Sequence, residues 1–145
     1  LIGPVQRHED NETFRRVVKP KLDALFRLPN VYYFDVAPKE TIPDVIRQFT
    51  TCMIPYDVSR AFNKFCYPMK IFEYFCVGKP VVSTPIEELK RFPKYVKIGS
   101  TAEEWEWHIK VLLSRPWPKK YKEAQRLLAT ENSWEKKIKA IIRAK

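Results

Sequence analysis

Glycine is scarce: the 145 residues hold only Gly3, Gly78 and Gly99. Neither a G-x-G-x-x-G nor a Walker loop can be assembled from them, which disfavours nicotinamide oxidoreduction and P-loop hydrolysis. No G-x-S-x-G elbow is present, against an α/β-hydrolase. No Asp-x-Asp occurs, so metal-dependent sugar transfer in the single-sheet manner is disfavoured as well. Cysteine is sparse too. Cys52, Cys66 and Cys76 form no C-x-x-C pair and read as reduced thiols. Each lies in an apolar run, where core burial is expected. His8 and His108 have no cysteine or carboxylate at zinc spacing, so no metal site is expected. No uncharged apolar run approaches the roughly 18 residues of a membrane span. The opening Leu1–Val5 is broken by Gly3 and Pro4 and followed by Arg7, unlike a signal peptide. The first residue is not Met, and the chain is expected to be a fragment or a processed piece.

What is present describes a globular domain. Hydrophobic residues make up 45% and aromatics 14%, enough for one domain with a core. The net charge is +10. From Lys119 onward nine basic residues face three acidic ones, so most of the surplus sits at the C-terminal end. Such a surface suits nucleic acid, anionic lipid or a phosphorylated ligand, or it is a solvated helix face.

Five short apolar runs read as strands: Leu1–Val5, Val31–Phe34, Thr51–Pro55, Pro80–Thr84 and Tyr95–Ile98. Helical periodicity fills the intervals. One helix is expected over Glu12–Leu28, interrupted at Pro20, and another runs from a Thr41 cap to Phe49. Pro68–Val77 reads as a helix closed by Gly78. Ser100 and Glu103 form a capping box for a helix reaching Ser114. Two more follow, over Lys119–Ala129 and after Asn132 or Ser133. Strands alternating with helices predict an α/β fold: a Rossmann-like parallel sheet with right-handed crossovers and helices on both faces. Ligands of such sheets bind at the carboxyl ends of the strands.

The stretch YPMKIFEYFCVGKPVVST, starting at Tyr67, carries the chemistry. Pro68 pre-sets the first turn, and the amides of Met69 and Lys70 face an anion together with the Lys70 ammonium. Glu73 shares that face three residues on. A carboxylate beside a phosphate site makes sense as an acceptor for neutral hydroxyls such as those of a ribose. Phosphate at Lys70 and ribose at Glu73 together read as a nucleotide. Met69, Phe72, Phe75 and Cys76 are expected to pack on the sheet. The bland alternative is a surface Lys70–Glu73 ion pair, stabilising by about 0.2–0.5 kcal/mol.

This stretch resembles the nucleotide-sugar-dependent glycosyltransferases of the GT-B fold, whose C-terminal domain carries a Pro-x-Lys-x-x-Glu-Tyr helix followed by a Gly-Lys-Pro-Val-Val strand. VYYFDVAPKETIPDVIRQFTTCMIPY, LIGPV and NSWEKKIKAII resemble further parts of that domain, so the likeness covers nearly the whole chain. The resemblance implies one half of a GT-B architecture. Residues 1–145 would form the donor-nucleotide-binding domain, without its first strand–helix unit and without the N-terminal acceptor domain. It implies that Glu73 binds the ribose and Lys70 faces the diphosphate. Tyr67, Pro68 and Met69 would approach the phosphates through backbone, while Val36, Ala37, Pro38 and Lys39 flank the base. The donor implied is a nucleotide diphosphate-sugar, with a UDP-sugar favoured and no further cofactor. The enzyme would be a hexosyltransferase of glycan or polysaccharide synthesis, with its general base in the missing domain and no activity in this chain alone. Many retaining relatives place a second glutamate where this chain has Phe65, which leaves inversion or retention open. The expected acceptor is a sugar or a lipid-linked sugar, and the expected setting is the cytoplasm, with peripheral contact at an anionic membrane. The alternatives are a sugar epimerase of the same fold, an inactive paralogue kept as an assembly partner, and a basic nucleic-acid-binding module. Against the last, Tyr32, Phe34, Phe72 and Phe75 fall at core spacing, and Trp105, Trp107, Trp117 and Trp134 read as packing residues.

Overall fold

The computed structural model of the chain describes residues 12–34 and 36–143, and its backbone divides into two compact units, Leu1–Ile42 and Pro43–Lys145. The expected strand Leu1–Val5 lies outside the described residues. In the first unit, a π-helical turn Phe14–Val18 leads into helix α1, Lys19–Phe26. The interruption expected at Pro20 takes this form. The wide turn closes with the Lys19 amide donating to the Phe14 carbonyl, and Pro20 then occupies the first turn of α1, where a missing N–H costs nothing.

Val31–Phe34 is a correction. Only Phe34 forms a bridge, and the half-buried residues are Val31 and Tyr33, with Tyr32 and Phe34 exposed. Tyr33 stacks on Phe26, ring centroids 4.8 Å apart. Extended backbone alternates faces, so the Tyr33 contact sends Tyr32 and Phe34 outward. Thr41 also differs from expectation. Its amide and its hydroxyl both donate to the Pro38 carbonyl, closing a 3-10 turn over Lys39–Thr41, so the hydroxyl does not cap the following helix α2, Ile42–Gln48.

The second unit is an α/β layer structure. Strands β1 (Cys52–Ile54), β2 (Val81–Ser83) and β3 (Val96–Ile98) form a parallel sheet in the order β1-β2-β3. Cys52 aligns with Val81 and Val81 with Val96. Central β2 is buried throughout, as a parallel strand covered on both faces must be, whereas edge strand β1 leaves Met53 exposed. Helices α3 (Ala61–Phe65) and α4 (Lys70–Cys76) link β1 to β2. A 3-10 segment, Glu87–Arg91, precedes β3, and α5 (Ala102–Leu113), α6 (Lys119–Glu131) and α7 (Trp134–Arg143) follow it.

Helix α4 ends in a two-bond left-handed cap. The Lys79 amide donates to the Tyr74 carbonyl and the Gly78 amide to that of Phe75. Gly78 has φ +71°, and a Cβ there would stand 2.8 Å from the Lys122 Cβ, so the same glycine ends α4 and admits α6. Gln125 locks the two together: its amide donates to the Lys79 carbonyl (2.7 Å) and its carbonyl accepts from the Trp117 indole (2.8 Å). Phe72 and Phe75 meet Phe92 edge-on, Phe75 meets Tyr95, and Tyr95 meets Tyr121 of α6.

Three details depart from the sequence reading. The buried face of α4 is Ile71, Phe72 and Phe75, while Met69 and Cys76 are exposed. The helix is only two turns long and lies between the sheet and α6, so the positions on its outward flank are left in solvent. The box at α5 is Thr101 with Glu104: Thr101 Oγ1 accepts from the Glu104 amide, and the Glu104 carboxylate accepts from the Ser100 amide. Both Ser100-x-x-Glu103 and Thr101-x-x-Glu104 fit the pattern; Trp105 fixes the choice by seating its indole on the Gly99 carbonyl at 2.8 Å. Trp105 and Trp117 pack as expected, but Trp107 and Trp134 are exposed.

Candidate functional site

Helix α4 runs into β2 through the short link Gly78–Pro80, so it is antiparallel to the strands. Its first turn therefore lies toward the end where β1 and β2 finish. The loop leaving β1 is shaped by Asp57, whose carboxylate accepts from the amide and hydroxyl of Ser59 and pairs with Arg60 at 3.6 Å. These Ser59 bonds hold the Asp57 carboxyl below its ordinary range. The Asp57 carbonyl accepts from Asn63, fastening α3 to the loop.

Tyr67, Pro68, Met69, Lys70 and Glu73 follow on one short segment. Pro68 is buried, and its carbonyl accepts from the Ile71 amide; that of Met69 accepts from Phe72. These bonds form the first turn, with the Met69 and Lys70 amides ahead of it. The Tyr67 ring packs on Phe72 at 5.6 Å. Burial pushes the Tyr67 phenol up; Arg91 opposes the shift and Glu88 adds to it. The Tyr74 phenol is pushed up to about 12, chiefly by burial, with Cys52 and then Glu73 adding to it.

Lys70 and Glu73 are both exposed, and among the described residues neither enters an ion pair. Oppositely charged residues at the same spacing do pair elsewhere: Asp44 with Arg47, Glu87 with Lys90, Glu88 with Arg91. In those cases the acid precedes the base, the orientation that agrees with the helix dipole. Lys70 precedes Glu73, the reverse order. The simple surface pair is not formed, and a cation and a carboxylate stand open on one face.

Sequence reasoning missed the neighbours that folding brings to Tyr67. The Lys137 ammonium of α7 stands 5.6 Å from the Tyr67 ring centroid and 5.8 Å from that of Phe72. Arg91 acts on the same phenol. Both lie in runs that read locally as solvated basic segments, and only the long-range fold gives them this position. Phe65 is exposed at the end of α3, with Lys64 over its ring at 5.4 Å. Val36, Pro38 and Lys39 are exposed and Ala37 is half-buried; these four belong to the first unit.

Two surface depressions lie elsewhere in the second unit. One, of about 420 Å³, is lined by Ile98, Glu103, Glu104, Trp107 and His108, and the other, of about 440 Å³, lies along the polar side of α7. Neither includes Lys70 or Glu73, which stand on open surface. Among the described residues no cluster of three or more His, Cys, Asp or Glu side chains is gathered that could hold a metal ion.

A stretch of 115 residues is 29% identical to a protein of Bacillus subtilis (strain 168) described as "Putative teichuronic acid biosynthesis glycosyltransferase TuaH", covering 76% of this chain and 28% of that relative. The chain thus spans little more than a quarter of the relative's length. No family model matches the chain, and no solved structure matches it. The likeness is to a glycosyltransferase, and it accompanies a Rossmann-like α/β layer with a three-stranded parallel sheet flanked by helices.

Proposed function

We propose that the chain is the donor-binding part of a glycosyltransferase of GT-B architecture, acting in glycan or polysaccharide synthesis. The observation that carries this reading is the open Lys70–Glu73 face beside the carboxyl ends of β1 and β2. Two opposite charges three residues apart, left unpaired, suit a ligand that is anionic at one end and rich in hydroxyls at the other. A nucleoside diphosphate is such a ligand. Lys70 takes the diphosphate, Glu73 accepts from the ribose hydroxyls, and the Tyr67, Pro68 and Met69 backbone borders the phosphates. The donor is a nucleotide diphosphate-sugar, with a UDP-sugar favoured, and no metal or further cofactor is required.

The similarity to a glycosyltransferase supports the transfer chemistry, and the span of 28% of that relative supports a part rather than a whole. In transfer at an anomeric carbon, much of the rate comes from holding donor, acceptor and base in line. The chain supplies a cation to stabilise the departing diphosphate. The acceptor, a sugar or lipid-linked sugar, and the general base belong to a second domain. Three free cysteines agree with a cytoplasmic setting, where thiols stay reduced.

Calorimetric titration of UDP, GDP and ADP into the chain tests the reading. UDP is expected to bind weakly, ahead of the other two, and the isolated chain is expected to release no diphosphate from a UDP-sugar offered with acceptor. Turnover by this chain, abolished by Lys70→Ala, would contradict the assignment to one part of a larger enzyme.

A further inference from the structure

Lys137 of α7 is half-buried, unlike its exposed neighbours Lys136 and Lys139. Its amide donates to the Ser133 carbonyl, and the Lys136 amide to the Ser133 hydroxyl, so the first turn of α7 fixes where the Lys137 stem starts. The ammonium stands 5.6 Å from the Tyr67 ring centroid and 5.8 Å from those of Phe72 and Trp134. Aromatic faces attract a cation but leave its charge uncompensated. Among the described residues no carboxylate pairs with Lys137. Other lysines of this unit do find one: Lys90 pairs with Glu87, Lys110 with Glu106 and Lys139 with Glu135. A half-buried cation is thus gathered with three rings and left without a counter-charge.

The place where this cation stands gives it a use. Tyr67 lies three residues before Lys70 and Phe72 two residues after it, so the rings that hold Lys137 bracket Lys70 along the chain. A diphosphate carries more than one negative charge at neutral pH, and the Lys70–Glu73 face supplies a single cation of its own. Two further cations reach Tyr67. Arg91 acts on its phenol but is already paired with Glu88 at 3.1 Å. Lys137 is the unpaired one. We propose that Lys137 is the second diphosphate-binding cation of the donor site, delivered by the last helix to the segment that Lys70 serves from α4. A lysine is a point charge on a flexible four-carbon stem, so its ammonium turns from ring faces to a phosphate while α7 stays in place. The inference rests on the nucleotide reading of the Lys70–Glu73 face and adds to it a residue 64 positions beyond Glu73.

The test is calorimetric titration of UDP, uridine and inorganic pyrophosphate into the original chain, Lys137→Ala, Lys137→Arg and Lys70→Ala, with thermal unfolding of each recorded in parallel. Lys137→Ala should weaken UDP and pyrophosphate about tenfold, the loss of one charged contact, and leave uridine nearly unchanged. Lys137→Arg keeps the charge and should keep most of the UDP affinity. Added salt should weaken UDP less in Lys137→Ala than in the original chain, because one screened contact is gone. A residue that merely ties α7 to the rings behaves otherwise: its removal lowers the Tm and weakens UDP and uridine alike, and that result would overturn the proposal. Unchanged UDP and pyrophosphate affinity in Lys137→Ala, with UDP weakened in Lys70→Ala, would also overturn it and leave the nucleotide reading standing. Pyrophosphate affinity lost in Lys137→Ala, with no binding of uridine to any chain, would remove the ribose role of Glu73 and keep Lys137 as an anion contact. No binding of UDP or pyrophosphate to the original chain at low salt would overturn both.

Discussion

Helices α4 and α7 are written in similar letters and face opposite ways. Each mixes Lys, Glu and large apolar residues at helical spacing. Helix α4 buries Ile71, Phe72 and Phe75 and presents Lys70 and Glu73, whereas α7 presents Trp134, Ile138, Ile141 and Ile142. The difference lies in how they are tied. Helix α4 is fastened at its C-terminal end by the Gly78 cap, enters the central strand directly and is covered by α6. Helix α7 is held at its N-terminal end. Amphipathic periodicity therefore gives a helix an apolar stripe, and the tertiary ties decide whether that stripe meets the core.

The comparison is sharpened most by Phe75→Ala. Phe75 is fully buried against Phe92 at 5.4 Å and Tyr95 at 5.6 Å, so the change should lower stability by about 3–5 kcal/mol in denaturant unfolding. A loss below about 1 kcal/mol would mean that α4 is not packed as described. Gln125→Leu comes next. It keeps the volume but strands the Lys79 carbonyl and the Trp117 indole, at a cost of about 1–3 kcal/mol by the same measurement.

Cysteine chemistry gives a third contrast. Burial pushes the Cys52 thiol up to about 12, partly offset by Lys79, while Cys76 is exposed on α4. The folded pKa lies above the unfolded value near 8.5, so this contribution to stability is complete below about pH 8.5. It is lost as pH rises toward 12, at up to about 1.4 kcal/mol per unit. Unfolding from pH 7 to pH 10 should show this loss, and Cys52→Ala should flatten it. Alkylation at neutral pH should label Cys76 well ahead of Cys52. The smallest effect is expected on α7, where Ile141→Ser should change stability by no more than about 0.5 kcal/mol. A larger loss would show that the stripe is packed after all.

Much of the second unit was legible in the sequence, because its signals are local. The Thr51–Pro55, Pro80–Thr84 and Tyr95–Ile98 runs contain β1, β2 and β3. Gly78 marks the end of α4 because only a left-handed residue serves there. The box at α5 lies one residue beyond Ser100, since two overlapping patterns compete and the Trp105–Gly99 bond decides between them. Val31–Phe34 reads as a strand by composition, yet its inward residues are set by the Tyr33–Phe26 stack. At the candidate site, Lys70 and Glu73 share a face by spacing alone. Lys137 and Arg91 arrive from segments 64 and 18 residues beyond Glu73, and no local pattern announces them.

The proposed function has Lys70 and Glu73 bind opposite ends of one ligand. Calorimetric titration of UDP and of uridine into the original chain, Lys70→Ala and Glu73→Ala tests this most directly. Glu73→Ala should weaken both ligands by about 1–3 kcal/mol, as charged hydrogen bonds to the ribose are lost. Lys70→Ala should weaken UDP and leave uridine nearly unchanged. Equal losses for UDP and uridine on removing Lys70, or unchanged affinity for both on removing Glu73, would contradict it.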